Sequence, residues 1–327
     1  VIPPGVDLSR FSPPLEPWAR PAIADELARF LHEPEKPMIL ALARPDERKN
    51  FEGLLHAYGE TEGLRDVANL VVVAGNRDDI AEMPPMPRRV LTQILALIDQ
   101  YDLYGSVAYP KHHDWSDVPE LFRLAAKSGG VFVNPALTEP FGLTLLEAAA
   151  TGLPIVATND GGPQDIVRTC QNGLLVDALD HEAIGRTLLD ALSDQARWKR
   201  WSEDGLEAVH ANYSWASHAD RYVHEAEQIV KATRPRPVHR PSNRLAGMDR
   251  LLVTDVEDTL TGDDIALEEL LVRLEHTDAK VGFGIATGRT LDEALALMEE
   301  LDVRVPDVLI TAAGSELHYG KHLLPDR

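Results

Sequence analysis

The sequence predicts an α/β fold built on a parallel β-sheet, followed by the start of a second α/β domain. Short apolar runs, each followed by a stretch with helical periodicity, recur along the first part of the chain. This alternation is typical of a parallel sheet with crossover helices. The runs are "PMILALA", "NLVVVAG", "GSVAYP", "GVFVNP", "PIVAT" and "NGLLVD". A second strand-like start, "RLLVTDVEDTLTGDD", follows a proline- and arginine-rich stretch and predicts another domain.

These changes in composition define the expected domain boundaries. We predict a lead-in segment at residues 1–35, the parallel-sheet domain at 36–232, a linker at 233–250 and a partial α/β domain at 251–327. The linker carries three prolines and five arginines, which favours extended backbone over packing.

The composition limits which classes of binding partner and which cellular compartment we expect for this protein. Acidic residues outnumber basic ones 53 to 32, giving a formal charge of −21, which argues against nucleic-acid and anionic-membrane partners. No apolar run approaches the roughly 20 residues of a membrane span. The lone Cys170 cannot form an internal disulfide, so we expect a cytoplasmic protein.

Two glutamates flank a strand-to-helix turn in "TEPFGLTLLEAAATG". Pro140 keeps Glu139 extended and outside the helix, and Glu147 lies about 7–8 Å further along it. The predicted first turn consists of Phe141, Gly142, Leu143 and Thr144. Its backbone N–H groups lack intrahelical partners and form an anion site. The acids could hold ribose and a second polyol, although an ordinary helix with surface acids is the alternative.

The loop "RPDERKNFEGLL" places Arg44 and Lys49 after the strand "PMILALA", at the sheet edge where the Glu139 turn lies. Arginine, lysine and a helix start could hold a diphosphate without a metal. No D-x-D metal loop occurs in this domain, so no metal site is predicted. The alternative is that both cations are solvated loop charges.

These motifs resemble those of the retaining glycosyltransferases of GT-B architecture, whose E-x7-E signature matches "EPFGLTLLE". The segments "VIPPGVD", "GNRDD", "YPKHH", "SDVPELFRLAA" and "NGLLVD" further resemble successive segments of the sucrose-phosphate synthases, over most of residues 1–180. The resemblance implies a Rossmann-like donor-binding domain that transfers glucose from UDP-glucose to fructose 6-phosphate, with no cofactor and no assigned protein nucleophile.

The resemblance also implies roles for individual residues. The implied UDP-glucose site comprises Arg44, Lys49, Tyr109, Lys111, Glu139, Phe141, Gly142, Leu143, Thr144 and Glu147. In this assignment Arg44 and Lys49 bind the diphosphate, and with Glu139 they form the catalytic set. Glu139 faces the hexose, while Glu147 holds the ribose hydroxyls. The loop with Tyr109 and Lys111 lies near the uracil.

In this family an acceptor-binding Rossmann-like domain precedes the segment that "VIPPGVDLSRF" resembles, which makes residues 1–35 an interdomain linker. The chain is therefore expected to be a fragment that is inactive without that domain. Three alternatives stay open: a mannosylfructose-phosphate synthase-like activity that uses GDP-mannose, sucrose-6-phosphate phosphatase as the main activity, and a non-catalytic UDP-sugar binder. A separate sucrose-phosphate phosphatase is a further candidate partner.

The second domain begins with "LLVTDVEDTLTG", which resembles the first motif of haloacid dehalogenase-like phosphatases. The resemblance implies that Asp255 is the nucleophile and that Glu257 takes the general-acid position. Thr259 also matches this first motif, and "IATGR" would supply the second motif, with Thr287 bonding a phosphoryl oxygen. Glu257 is one methylene longer than aspartate, which displaces its proton by about an ångström. Magnesium would be needed only by a complete site, and we expect this incomplete one to be inactive.

Overall fold

A computed structural model of the chain describes residues 2–232, 245, 247–256, 259–276, 280–320 and 322–325. The chain divides into two compact units, Val1–Ala232 and Thr233–Arg327. The predicted linker at 233–250 lies mostly outside the described residues and stays a prediction.

The first unit is built on a six-stranded parallel sheet. Its strands are β1 (Met38–Leu42), β2 (Asn69–Val73), β3 (Val107–Ala108), β4 (Val131–Asn134), β5 (Ile155–Thr158) and β6 (Gly173–Val176). They lie in the order β3-β2-β1-β4-β5-β6. The chain runs outward from β1 to one edge and then returns to place β4 on its other side, which makes the β1–β4 junction a topological switch point. The predicted α/β fold with a Rossmann-like parallel sheet is confirmed.

Helices cover both faces of this sheet. They are α1 (Ala22–Ala28), α2 (Phe51–Glu60), α3 (Leu64–Val67), α4 (Pro85–Gln100), α5 (Asp117–Lys127), α6 (Leu143–Ala150), α7 (Pro163–Cys170), α8 (His181–Ser193), α9 (Gln195–Asn212) and α10 (Trp215–Ala232). Successive β1 side chains point to opposite faces, so Ile39 packs with α2, α4 and α8. Leu40 packs with α1, α5 and α6. Burial on both faces explains why the strands are mainly apolar.

The second unit contains a smaller mixed sheet in the order β11-β10-β9-β8-β7. Its elements are β7 (Arg250–Thr254), α11 (Asp264–His276), β8 (Val281–Ala286), α12 (Leu291–Glu300), β9 (Val308–Thr311), β10 (Glu316–Tyr319) and β11 (Leu324–Pro325). Strands β7, β8 and β9 are parallel, whereas β10 and β11 are antiparallel. Phe283, Ile285 and Leu309 form the centre of its core. This confirms a second α/β unit.

Among the helices of the described residues, none has both the length and the apolar character that a bilayer crossing needs.

Candidate active site

The loops that follow β1 and β4 meet at the switch point. The backbone N–H of Leu137 donates to the carbonyl of Arg48 at 2.8 Å. The side-chain amide of Asn50 donates to the carbonyls of Pro135 at 3.0 Å and Ala178 at 2.8 Å. The bonds to Arg48 and Pro135 join the two loops, and the bond to Ala178 ties the loop after β1 to the segment that follows β6.

The loop after β1 has a rigid local structure. Asp46 caps a 3₁₀ turn over Glu47–Lys49 by accepting the backbone N–H of Arg48 at 2.9 Å. Hydrogen bonds from Arg48 lower the pKa of Asp46 to about 2. Asn50 adopts a left-handed φ of 55° and caps α2 by accepting the N–H of Gly53 at 3.2 Å. The loop therefore presents Lys49 in a fixed direction.

Lys49 points directly at Glu139. Its Nζ lies 2.7 Å from Glu139 Oε2, and the side chains are 26% and 12% exposed. Asn134, the last residue of β4, donates its amide to the same oxygen at 3.1 Å. The structure thus brings together two predicted site residues and adds a third that the sequence interpretation missed.

The start of α6 differs from the prediction. The helix begins at Leu143, and Gly142 is its N-cap with φ 100° and ψ 52°. The prediction that Phe141 and Gly142 belong to the first turn is wrong, because a left-handed residue cannot continue a right-handed helix. No side chain caps this end. The N–H groups of Leu143 and Thr144 therefore stay available to an anion.

A glycine pair behind the turn explains its shape. Gly161 forms a bridge with Glu139, and the N–H of Gly162 donates to the Glu139 carbonyl at 2.9 Å. A Cβ at Gly161 would lie 2.3 Å from that carbonyl oxygen, and one at Gly162 would lie 2.4 Å from the Phe141 carbonyl oxygen. Only glycine permits this approach, so the pair holds the Glu139 backbone in place.

Glu147 lies on α6 beside a cation from the lead-in segment. Burial raises the pKa of Glu147, and the positive charge of Arg10 partly offsets this effect. The Arg10 guanidinium lies 2.9 Å from the ring centroid of Trp115 and donates to the Trp115 carbonyl. Arg123 fixes the backbone here by donating to the Arg10 carbonyl at 2.7 Å. Arg10 thus opposes the effect of burial and supports the ionised form of Glu147, which accepts hydrogen bonds from a diol.

Arg44 is exposed at the carboxyl end of β1. Its guanidinium makes neither a hydrogen bond nor an ion pair with any described residue. Pro45 packs close to Gly75, where an added Cβ would lie 3.1 Å from its Cδ. Arg44 is thus an available cation on an anchored loop.

Tyr109 and Lys111 follow β3, the edge strand, two strands away from β1. The Tyr109 ring packs against Phe30 with centroids 4.8 Å apart, and Lys111 Nζ donates to the Asp78 carbonyl at 3.0 Å. The buried Arg77 donates to the carbonyls of Tyr109 and Pro110, each at 3.0 Å. Arg77 holds this loop in place, and the side chains of Tyr109 and Lys111 contact Phe30 and Asp78 rather than the Lys49–Glu139 pair. Their placement near a uracil stays a prediction.

In the second unit, Asp255 and Thr287 follow the neighbouring parallel strands β7 and β8. Asp255 Oδ1 accepts the N–H of Val256 at 2.8 Å, and the Thr287 hydroxyl accepts the N–H of Arg289 at 3.2 Å. Thr259 is exposed, while Glu257 lies outside the described residues. No three His, Cys, Asp or Glu side chains among the described residues are grouped so that they could hold a metal.

Comparison with known proteins identifies the family. The profile described as "Glycosyl transferases group 1" matches residues 23–208, more than half of the chain. The chain belongs to the group 1 glycosyltransferases. A second profile, described as "Sucrose-6F-phosphate phosphohydrolase", matches residues 248–327.

Individual relatives of this glycosyltransferase carry a more specific name. Sucrose-phosphate synthase 4 from Arabidopsis thaliana is 55% identical over 207 residues, which is 63% of this chain and 20% of that protein. Probable sucrose-phosphate synthase 1 from Oryza sativa subsp. indica is 43% identical over 312 residues, which is 90% of this chain and 27% of that protein. A solved sucrose-phosphate synthase from Thermosynechococcus elongatus is 29% identical with a TM-score of 0.55, over 71% of this chain and 53% of that one. The chain thus spans about a quarter or less of the two curated relatives.

Several residues that build the candidate site were not predicted from the sequence. They are Arg10, Asn50, Arg77, Asn134, Gly161 and Gly162. Two local signals pointed to some of them, namely an asparagine ending a buried strand and a double glycine after the next strand. Arg10 had no such signal, because its neighbour Glu147 lies far along the chain.

Proposed function

We propose that the first unit binds UDP-glucose at the switch point and provides the donor half of a sucrose-phosphate synthase, which transfers glucose to fructose 6-phosphate. The observation that carries this proposal is the convergence of Lys49, Glu139 and the uncapped start of α6 at the β1–β4 junction. The names of the relatives and the match of both profiles support the choice of reaction.

The chemistry of the site follows from the charges that develop during transfer. As the glycosyl–diphosphate bond breaks, negative charge grows on the departing UDP and positive character grows on the sugar. Arg44, Lys49 and the N–H groups at the start of α6 would stabilise the first charge. Glu139 would hold hexose hydroxyls, and Glu147 would hold the ribose diol. We assign no protein nucleophile.

Donor choice is tested by calorimetric titration of the chain with UDP-glucose and with GDP-mannose. We expect UDP-glucose to bind the more tightly. A preference for GDP-mannose would favour the mannosylfructose-phosphate synthase-like alternative, and binding of neither sugar nucleotide would reject the proposed site.

UDP binding is expected to be independent of divalent metal, because two side-chain cations and a helix start provide the positive charge. We expect the same UDP dissociation constant with and without EDTA, within about a factor of two (~0.4 kcal/mol). The measurement is calorimetry on metal-stripped protein, with added magnesium as the reciprocal control. Affinity that disappears on chelation would contradict this prediction.

For the second unit we propose a phosphatase-like structure without hydrolytic activity. We expect no magnesium-dependent release of phosphate from sucrose 6-phosphate, because the longer side chain of Glu257 misplaces the general acid by about an ångström. The measurement is a phosphate-release assay with excess magnesium on the natural chain and on Glu257→Asp. Turnover by the natural chain would reject the proposal.

A further inference from the structure

The Lys49–Glu139 ion pair joins two side chains that, in the proposed function, bind different parts of one ligand. Lys49 is assigned to the diphosphate and Glu139 to the hexose, yet they contact each other at 2.7 Å. Both side chains are largely buried, so solvent screens this contact less than it screens an exposed pair. The diphosphate and Glu139 therefore compete for the same ammonium group.

The carboxylate of Glu139 is only partly satisfied by protein groups. Lys49 and Asn134 both donate to Oε2, at 2.7 and 3.1 Å. The other oxygen, Oε1, accepts no hydrogen bond from any described residue. A sugar hydroxyl could donate to Oε1 without displacing any of these bonds.

We infer that Glu139 makes the site discriminate against a nucleoside diphosphate that carries no sugar. When the diphosphate binds, Glu139 loses its contact with Lys49, and only the hydroxyls of a hexose can replace that partner. This inference rests on the proposed function, and it assigns a role in specificity to a residue otherwise expected only to contact the sugar.

The physical basis is the cost of an uncompensated, mostly buried charge. When Lys49 turns to the diphosphate, Glu139 keeps only one hydrogen-bond donor among the described residues, the neutral amide of Asn134. The Glu139 side chain is only 12% exposed, so water compensates little of the loss. Removing one partner of such a pair is destabilising. Donation from hexose hydroxyls offsets this loss for UDP-glucose but not for UDP. After transfer, the same imbalance favours release of UDP.

The test replaces Glu139 with glutamine, which keeps the shape and an acceptor for Asn134 but no longer holds Lys49 by charge. Calorimetric titrations with UDP and with UDP-glucose give the two dissociation constants. We expect Glu139→Gln to tighten UDP by about tenfold, equivalent to about 1.4 kcal/mol. UDP-glucose is expected not to gain, so the ratio of the two affinities falls by at least that factor.

Two controls separate competition for Lys49 from a general change in charge. Glu47→Gln removes the same charge from the loop that carries Lys49, and it should leave the ratio unchanged. Among the described residues the Glu47 carboxylate pairs only with the exposed Arg89, at 3.1 Å. In a Lys49→Ala background, Glu139→Gln should no longer tighten UDP by tenfold, because the contested cation is gone. Equal tightening in either control would overturn the inference, because simple repulsion would then explain the result.

Circular dichroism and the thermal midpoint establish that each variant is folded. If the natural chain binds UDP and UDP-glucose but folded Glu139→Gln binds UDP no more tightly, the inference is wrong and the proposed function stands. If the natural chain binds neither ligand, both are rejected.

Discussion

Replacing Lys49 with alanine is expected to weaken UDP binding by about 1.5–3 kcal/mol, the range for a hydrogen bond between charged groups. The substitution removes the ammonium that the diphosphate would contact. It also removes the partner that Glu139 holds at 2.7 Å in the free protein, so UDP no longer has to displace that contact. This places the expected loss towards the lower end of the range.

The measurement is calorimetric titration with UDP, and Lys199→Ala provides the matched control. Lys199 lies on the surface of α9 and pairs with Glu203 at 3.8 Å, so its removal changes the net charge equally but far from the switch point. We expect wild-type affinity for the control. Unchanged UDP affinity in folded Lys49→Ala would remove Lys49 from the proposed diphosphate site.

The placement of Lys49 and Glu139 on one sheet edge could be predicted from the sequence, but their contact could not. The buried strands before each loop were readable as apolar runs, and parallel strands bring their carboxyl ends to one edge. The two loops that form the ion pair are also joined by hydrogen bonds such as that from Asn50 to Pro135. Bonds of this kind depend on three-dimensional packing, which sequence periodicity does not encode.

The start of α6 could not be predicted from the local sequence for a similar reason. The helix was predicted to include Phe141 and Gly142, whereas it begins at Leu143. The left-handed conformation of Gly142 accompanies the close approach of Gly161 and Gly162 to the preceding turn. Tertiary packing thus decided the helix boundary.

The electrostatic contacts between residues far apart in the chain were the part of the site least predictable from the sequence. Nothing in "VIPPGVDLSRF" indicates that Arg10 approaches Glu147, since more than 130 residues separate them. The buried Arg77, which orders the loop after β3, lies in the segment "GNRDD". This segment resembles the family, but nothing in it predicts a structural role for the arginine. The sequence predicts the groups that could contact a ligand more readily than the residues that position them.

Glu147→Ala is expected to weaken UDP and UDP-glucose alike, whereas Glu139→Ala should not weaken UDP but should weaken UDP-glucose. The reason is the order of the two acids along the turn. Glu147 would hold the ribose, which both ligands carry, and Glu139 would hold the hexose, which only one carries. Loss of hydrogen bonds to a charged carboxylate predicts about 1.5–3 kcal/mol in each affected case.

Alanine suits this comparison because Glu147 lies within α6, where alanine is the best helix former. A loss of affinity at this position is therefore not a consequence of a broken helix. Glu182→Ala is the control, since Glu182 is an exposed acid on α8 that pairs with Arg186 at 3.1 Å. It should leave both dissociation constants unchanged.

The pattern across the two ligands decides the assignment more firmly than any single affinity. Equal losses of UDP-glucose and UDP at Glu139 would place that acid on the nucleotide, and unchanged UDP binding at Glu147 would remove that acid from the ribose. Burial raises the pKa of Glu147 while Arg10 opposes the shift, so Arg10→Ala should reproduce part of the Glu147→Ala loss. The loss of affinity caused by Arg10→Ala should grow as the pH falls. Without Arg10 a larger fraction of Glu147 is protonated, and one of its carboxyl oxygens then no longer accepts a hydrogen bond from a ribose hydroxyl.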